Sequence, residues 1–290
     1  MTGARQPDGR WLALPALLVL GLFFTAFGTF IALSLLHAVP GTASIAGPAS
    51  LDNYRAVAGL ALNREVTLDT LWLALQLTGI CILVGYPLAY LMARTPSRTV
   101  RNLILFVLVV TFLSGGVTRA YSWLIILGNT GLVNSLIKKL GFAMVPLVHN
   151  RTGVVISLTH FLLPFFVLTL FGALKTVPAM LEEAARNLGA SRLRSFLAVT
   201  LPLSVPGLIA ASTLTYAVAL SSFLFPALLG GGRNPMAANL IYMKILDAFD
   251  IPAAAAMATL FLVIALGCVG LFALVERLAQ PRFPLARRHG

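Results

Sequence analysis

Charge is scarce in this chain of 290 residues, and acidic charge is the scarcest. Only 10% of the residues are charged and 59% are hydrophobic, with 9 Asp and Glu beside 21 Lys and Arg. A soluble domain carries about 25% charged residues, so this deficit favours a polytopic membrane protein. The net charge of +12 does not indicate a nucleic-acid-binding protein, because the basic residues flank apolar segments.

Four further absences exclude other classes of protein. The sequence lacks the G-x-x-x-x-G-K-[ST] phosphate loop, so we do not expect it to bind ATP in the usual way. Its two cysteines, Cys81 and Cys268, lie in apolar runs and form neither a disulfide framework nor a metal-binding spacing. No Ser-His-Asp or Cys-His set indicates a catalytic site. No carboxylate lies at the middle of an apolar segment, where proton-coupled carriers commonly bury one.

Six apolar segments are long enough to span a bilayer, which takes about 20 mostly apolar residues. The first is longer than a signal peptide's apolar region of about 7–15 residues. We interpret it as an uncleaved span, although the sequence GTASIAG after it resembles a cleavage site. The predicted spans are Trp11–Leu36, Val66–Met92, Leu103–Leu127, Gly153–Leu174, Leu208–Leu229 and Ala253–Val275.

The predicted organisation and orientation follow from these spans. A tail over residues 1–10 precedes the first helix over 11–36, a core membrane domain covers 66–275, and a second tail covers 276–290. With the N-terminus in the cytoplasm, most of the 21 basic residues also fall on the cytoplasmic side. The positive-inside rule therefore predicts that both termini are cytoplasmic.

A polar, glycine-broken segment, EEAARNLGASRLRSFLAVTLPLSVPG, separates the fourth and fifth predicted spans. Pro178 can open a helix just before it, Gly189 permits a sharp change of direction, and Ser191 can cap a second short helix. We expect a two-helix knob in a cytoplasmic loop over 178–206, after which Pro202 and Pro206 reset the chain before the fifth span. Small residues and flanking charge favour a docking element over a plain solvated loop.

This segment also carries a spaced signature. Glu183-Ala184-Ala185 is followed by three residues, Gly189, nine residues and then Val199-Thr200-Leu201-Pro202. The pattern resembles the cytoplasmic signature of permease subunits of binding-protein-dependent ABC importers, with Val in place of Ile. The resemblance covers about Trp11 to Val275. It implies an all-α polytopic fold of the type I ABC importer permease, with six transmembrane helices and a coupling helix that inserts into a groove of the ATPase subunit. The residues that it places in this coupling role are Glu182, Glu183, Ala184, Ala185, Gly189, Leu201 and Pro202.

The resemblance also implies the partners and the setting of the chain. It predicts a multi-pass, non-catalytic subunit of the bacterial inner membrane without a cofactor of its own. The expected partners are the lipid bilayer, a second homologous permease subunit, two ATPase subunits that bind ATP and Mg, and a periplasmic solute-binding protein. Three stretches, TRAYSW (Thr118–Trp123), GNTGLVNSLI (Gly128–Ile137) and FPALLGGGRNPMAANLI (Phe225–Ile241), resemble the spermidine and putrescine branch of the family.

Candidate pathway residues lie in the third and fifth spans. Arg119 is expected near the outer end of the third span, where a role toward the solute or the receptor and simple snorkelling are both open. The fifth span lines the pathway in the family, but its Ser and Thr residues are equally expected to bond their own backbone. Pro226 should kink or end that helix. The candidates are Arg119, Tyr121, Tyr216, Ser221, Ser222 and Phe225.

The stretch LVNSLIKKL, Leu132–Leu140, has apolar residues at helical spacing and Asn134, Ser135, Lys138 and Lys139 opposite them. This pattern predicts a short helix at the outer membrane interface. The alternative is a platform under the solute receptor.

The sequence predicts the class of transporter, but it does not single out one solute. The resemblance favours a polyamine, whereas the scarcity of carboxylates in the spans weakens the case for a cation, and the basic outer loops would tolerate an anion. The same machinery serves phosphonate, ferric iron and amino-acid-like solutes. A secondary transporter would predict internal repeats and an intramembrane ion site, and a membrane-embedded enzyme would predict a catalytic constellation. Neither pattern is present in the sequence.

Overall fold

The computed structural model describes residues 14–38 and 45–279, and these residues are almost entirely helical. The predicted tail over 1–10 lies outside the described residues, as does the second tail from residue 280 onward. In chain order the elements are α1 (Leu14–Ser34), β1 (His37–Ala38), β2 (Ile45–Ala46), α2 (Asp52–Gly59), α3 (Ala61–Arg94), α4 (Arg98–Leu113), α5 (Gly116–Leu127), α6 (Leu132–Lys139), α7 (Arg151–Thr176), α8 (Ala179–Asn187), α9 (Arg192–Ser195), a π-helical segment (Phe196–Thr200), α10 (Leu201–Leu220), α11 (Leu224–Leu229), α12 (Ala237–Leu246) and α13 (Ile251–Ala279).

The all-α prediction with six spans is confirmed. β1 and β2 pair antiparallel over two residues each, with His37 opposite Ala46, and add no layer to the fold. In the described part of the chain, six segments are long and apolar enough to cross a bilayer: Leu14–Ser34, Ala61–Arg94, Gly116–Lys139, Arg151–Thr176, Arg192–Leu220 and Ile251–Val275.

The third span was predicted as one helix over Leu103–Leu127, and this is wrong. The helix breaks after Leu113, where Ser114 (ψ 128°) and Gly115 (ψ 144°) are extended, and α5 begins at Gly116. Two consecutive glycines lower helix stability at this point, because glycine loses the most conformational freedom in a helix. Apolarity alone therefore did not reveal the break.

The fifth span was also predicted with the wrong limits. The expected reset at Pro202 and Pro206 does not occur, because α9, the π-helical segment and α10 follow one another without interruption. Pro202 lies in the first turn of α10 and Pro206 lies inside it. A proline ring clashes with the carbonyl four residues earlier, which for Pro202 is the Ala198 carbonyl, within the wider π turn over Phe196–Thr200.

At its other end the fifth span stops early. α10 ends at Leu220, and α11 begins at Leu224 after a short non-helical link. Pro226 has no N–H to donate to the Ser222 carbonyl, so the helix cannot continue through this point. Pro226 instead occupies the first turn of α11, where the missing donor costs nothing.

The chain divides into two compact units, of which the first comprises Met1–Arg64 and Leu240–Leu262. Within this unit α2 is tied to the end of α1. The Asn53 side chain donates to the backbone oxygens of Ser34 and Leu36 at 2.9 and 2.6 Å, and the hydroxyls of Ser34 and Tyr54 lie 2.5 Å apart.

The second unit comprises Glu65–Asn239 and Val263–Gly290 and is centred on α7. Leu158, Leu162, Phe166, Leu170 and Leu174 of α7 are completely buried. Two glycines let neighbouring helices approach α7 closely, as small residues do in membrane bundles. A Cβ at Gly85 of α3 would lie 2.6 Å from the Phe166 ring, and one at Gly207 of α10 would lie 2.1 Å from the Cβ of Ala173.

The contact at Gly207 gives a first prediction. Gly207→Ala should destabilise the permease, because the new methyl group meets the Ala173 Cβ and forces α10 away from α7. Gly172→Ala is the matched control, since a Cβ there meets no described atom within 4 Å and alanine is favoured over glycine in a helix by about 1 kcal/mol. Thermal unfolding in detergent should show a lower midpoint for Gly207→Ala only. Equal midpoints for both variants would contradict the proposed close packing.

Candidate functional site

The polar segment between α7 and α10 folds into two short helices joined by a tight turn. We call Pro178–Ser195 the knob. Pro178 is extended and precedes α8, and Gly189 at the end of α8 has φ +91°, a left-handed conformation that favours glycine. The Ser191 hydroxyl accepts a hydrogen bond from the Arg194 N–H at 3.3 Å and caps α9. The predicted helix, glycine turn and capped second helix are therefore confirmed.

Glu182 of α8 points into the protein and is only 5% exposed. Its carboxylate accepts hydrogen bonds from the Tyr90 hydroxyl at 2.9 Å, from Arg94 Nε at 2.7 Å and from the Thr200 hydroxyl. The Ser195 hydroxyl donates to the backbone oxygen of Glu182 at 3.0 Å. Donors from α3, from α9 and from the π-helical segment thus meet on one residue of the knob.

These donors keep Glu182 ionised. Burial alone would raise the pKa of its carboxyl, but the hydrogen bonds from Thr200, Arg94 and Tyr90 and the charge of Arg94 act in the opposite direction and prevail. The pKa is lowered below its ordinary value. A buried charge is tolerated when it is paired and hydrogen-bonded, and Glu182 meets this condition.

Aromatic side chains reinforce the same junction. The Phe196 ring, at the start of the π-helical segment, packs edge-on against Tyr86 and Tyr90 of α3 at centroid distances of 5.7 and 5.0 Å. The hydroxyls of Tyr86 and Ser204, which lies in α10, are 2.6 Å apart. The C-terminal end of α3, the knob and the start of α10 therefore form one connected block.

Sequence reasoning missed Arg94 and Tyr90 as members of this site. Glu182 and Arg94 are 88 positions apart, and the sequence offered only the weak signal that Arg94 ends an apolar span. The resemblance gave the two adjacent glutamates the same coupling role. The structure separates them, because Glu182 is buried and Glu183 is exposed.

The surface of the knob carries several exposed apolar side chains among its charged ones. Leu188, beside the glycine turn, is 90% exposed. Of the residues predicted to contact an ATPase, Glu183, Ala184, Gly189 and Pro202 are exposed, Ala185 and Leu201 are half-buried, and Glu182 is buried. The other exposed large apolar side chains on or next to the knob are Met180, Leu181, Leu193 and Leu197.

Arg119 does not snorkel, which was one of its two interpretations. Its side chain is 7% exposed and folds back onto the break between α4 and α5, where Nε and Nη2 donate to the Ser114 carbonyl at 3.1 and 2.9 Å. The guanidinium carbon lies 4.6 Å from the Phe161 ring centroid. A cation at this point satisfies carbonyls at the C-terminal end of α4 and suits its dipole.

The remaining pathway candidates occupy different environments. Phe225 is buried and packs on Phe161 at 5.0 Å, so it shares this ring with Arg119. Tyr216 is buried against Phe272 at 5.3 Å. Tyr121 and Ser221 are exposed, whereas Ser222 is buried. Both serine hydroxyls donate to the Val218 carbonyl, as the backbone-bonding alternative expected. Their roles in transport stay predictions.

In the described part of the chain, six segments that can cross a membrane and a polar knob attached to them define a polytopic membrane protein. The chain belongs to the family of binding-protein-dependent transport system inner membrane components, whose model matches residues 85–282. The predicted ABC importer permease family is thereby confirmed, and this family is a transport component.

Relatives of known function agree with this family. The chain is 36% identical over 209 residues to the spermidine/putrescine transport system permease protein PotB of Escherichia coli (strain K12), covering 71% of this chain and 75% of that protein. It is 32% identical over 212 residues to PotB of Haemophilus influenzae, covering 71% and 72%. It is also 32% identical over 194 residues to the molybdenum transport system permease protein ModB of Mycobacterium bovis, covering 65% and 70%.

Solved structures agree on the fold. A bacterial ABC transporter involved in the import of the acidic polysaccharide alginate superposes with a TM-score of 0.75 at 20% identity, covering 93% of this chain and 96% of that chain. The MetNI methionine ABC transporter superposes with a TM-score of 0.59 at 17% identity, covering 75% and 95%. The fold is thus that of ABC importer permeases.

The adjacent glutamates provide a second prediction. Glu182→Gln should destabilise the permease by about 3 kcal/mol, because it leaves the charge of Arg94 without its partner inside the protein. Glu183→Gln is the matched control and should change stability by less than about 0.5 kcal/mol, as exposed substitutions usually do. Thermal unfolding of both variants at neutral pH is the measurement.

The pairing of Glu182 with Arg94 also determines how the stability of the permease depends on pH. Because the pKa of Glu182 is lowered in the folded chain, its stabilising contribution is present above the ordinary carboxyl pKa of 4.5 and is lost as the pH falls through the lower folded value. The difference in stability between the wild type and Glu182→Gln should therefore shrink on acidification. A difference that is absent at neutral pH would contradict the assigned pairing.

Proposed function

We propose that this chain is one permease subunit of an ATP-driven importer that moves a polyamine of the spermidine/putrescine kind across the inner membrane. In this proposal a periplasmic binding protein delivers the solute, a second homologous permease subunit completes the pathway, and two ATPase subunits bind ATP and Mg and drive the cycle. In this proposal the chain itself binds neither nucleotide nor metal. The relatives named spermidine/putrescine permeases support the solute class, since they match over about three quarters of their length.

The knob is the proposed ATPase contact, and the exposure of Leu188 is the observation that carries this assignment. Leu188 is 90% exposed, and Met180, Leu181, Leu193 and Leu197 on or next to the knob are exposed as well. A group of large apolar side chains left exposed on a polar element is expected to be covered by a partner. Glu183, Ala184 and Gly189 flank Leu188, and all are exposed. Glu182 then acts as a positioning residue, because its carboxylate holds the knob to α3 and is not free to meet the partner.

The proposed orientation places the knob and both termini in the cytoplasm. Basic side chains concentrate on the knob and at the neighbouring ends of α3 and α4, which is the distribution that cytoplasmic loops show. They are Arg94, Arg98, Arg101, Arg186, Arg192 and Arg194.

The scarcity of carboxylates bears on where a polyamine is recognised. Asp69 of α3 is half-buried and already pairs with Arg151 of α7 at 2.5 Å. A chain with so few free acidic groups recognises a polycation weakly by itself. We therefore assign most of the solute specificity to the binding protein, with this subunit shaping the passage.

A third prediction tests the coupling role. Leu188→Glu should leave the fold and membrane insertion intact, because the side chain contacts solvent, but should weaken association with the ATPase through the burial of an unpaired charge. Leu188→Met is the control and should retain association. Co-purification of the ATPase and the ATPase rate stimulated by the loaded binding protein should both fall several-fold for Leu188→Glu alone. Wild-type values for that variant would remove the knob from the coupling interface.

A fourth prediction tests the solute. Vesicles containing the complete transporter should accumulate radiolabelled spermidine or putrescine only with ATP inside the compartment that contains the knob and with the binding protein on the opposite side. Excess molybdate, phosphonate or amino acids should not compete. Uptake of one of these compounds in place of the polyamine would overturn the proposed solute and leave the coupling assignment standing.

A further inference from the structure

Helix α6 buries a polar side chain and exposes apolar ones, which is the reverse of a helix on the surface of a soluble protein. Asn134 is 2% exposed, whereas Leu132, Leu136 and Leu140, which follow one another at intervals of four, are 64%, 51% and 73% exposed. A helix that packed only against protein and water would bury the leucines and expose the amide. The exposed stripe formed by these three leucines therefore indicates contact with an environment other than protein and water.

The reversed orientation is fixed by specific hydrogen bonds. The Asn134 amide nitrogen donates to the Gly128 carbonyl at 3.1 Å, and its oxygen accepts from the Val145 N–H at 3.0 Å. The side chain thus connects the end of α5 to the segment that follows α6. The leucines cannot turn inward without leaving this buried amide unsatisfied, which costs about 1–3 kcal/mol.

Successive residues of a helix are rotated by about 100°, and the exposure of α6 varies around its axis in three arcs. One arc is half-buried against the protein and contains Val133 and Ile137. The next arc is exposed and apolar and contains the three leucines. The last arc is exposed and polar and contains Ser135, Lys138 and Lys139. Protein, hydrocarbon and water meet along one helix only at the surface of a bilayer.

The position of α6 along the bundle agrees with a bilayer surface. It follows the apolar helix α5 through the turn at Gly128–Gly131. α7, which begins at Arg151 a short distance further on, runs 26 residues, or about 39 Å, to the knob. α6 therefore lies at the membrane face opposite the knob. Phe142 and Met144, immediately after α6, are also exposed and extend the apolar surface.

We propose that α6 lies flat on the leaflet opposite the knob, with Leu132, Leu136 and Leu140 inserted among the acyl chains and with Lys138 and Lys139 at the phosphates of anionic phospholipids. Apolar side chains are also exposed on α5, which precedes the stripe, at Val117 and Ile125, and the two ammonium groups complement acidic headgroups. This contact would anchor the end of α5 and the start of α7 at a fixed depth. It depends neither on the solute nor on the ATPase.

The test compares two adjacent positions in the assembled transporter, reconstituted in phosphatidylglycerol–phosphatidylcholine vesicles. A spin label is attached to Leu136→Cys or, as the matched control, to Ser135→Cys, on a background of Cys81→Ala and Cys268→Ala. The label at 136 should be several-fold more accessible to oxygen, which concentrates in lipid, than to a water-soluble nickel chelate. The label at 135 should show the opposite preference.

The lysines are tested in the same system. The label at 136 should lie deeper in vesicles with phosphatidylglycerol than in pure phosphatidylcholine, and the double variant Lys138→Gln/Lys139→Gln should abolish that difference. Equal depth in both lipids would overturn the headgroup contact. Equal nickel accessibility at 135 and 136 would overturn lipid insertion. A label at 136 that is water-accessible and becomes immobile only when the binding protein is added would assign the stripe to that protein instead.

Discussion

The buried carboxylate of Glu182 determines how the polar part of this chain is attached to its membrane helices. Removing a carboxylate from water costs several kcal/mol unless its hydrogen-bonding capacity is filled. Here Tyr90 and Arg94 come from α3 and Thr200 from the start of the fifth span. Because these donors must be in place together, the knob has one position on α3 and not a range of positions.

The knob and α6 share one arrangement of polar and apolar side chains. Glu182 in the knob and Asn134 in α6 are buried polar anchors, while Leu188 in the knob and Leu136 in α6 are exposed. Soluble proteins bury their apolar side chains and expose their polar ones, because water covers their surface. In both elements the polar anchor fixes the orientation and leaves the apolar side chains to a neighbour that is not water. For the knob we propose an ATPase, and for α6 we propose the bilayer.

Much of the fold was predictable because it depends on local properties of the sequence. The length of the apolar runs predicted six spans, glycine predicted the left-handed turn at Gly189, and Ser191 predicted a helix cap. The spacing of the signature predicted the family. The break at Ser114–Gly115 and the π-helical segment were not predicted, because both are changes in backbone hydrogen bonding within apolar stretches, which hydropathy does not record. The pairing of Arg94 with Glu182 was out of reach for another reason: it joins residues 88 positions apart, and only the packing of α3 and α10 around α7 brings them together.

The continuity of the fifth span has a mechanical consequence. The helical run from Arg192 to Leu220 contains 29 residues, or about 43 Å, so a displacement at the knob is carried along a single rod into the membrane. α3 moves with it, because Glu182 and Phe196 join the two. The chain is free to bend where helical hydrogen bonding is interrupted.

Two such interruptions, at Ser114–Gly115 and at Ser221–Phe223, meet at Phe161. Arg119 lies over this ring just after the first break, and Phe225 packs on it just after the second. A Cβ at Gly116 would lie 3.8 Å from the same ring and 3.9 Å from Leu224. Phe161 of α7 is therefore the residue at which the two interruptions of the helices meet.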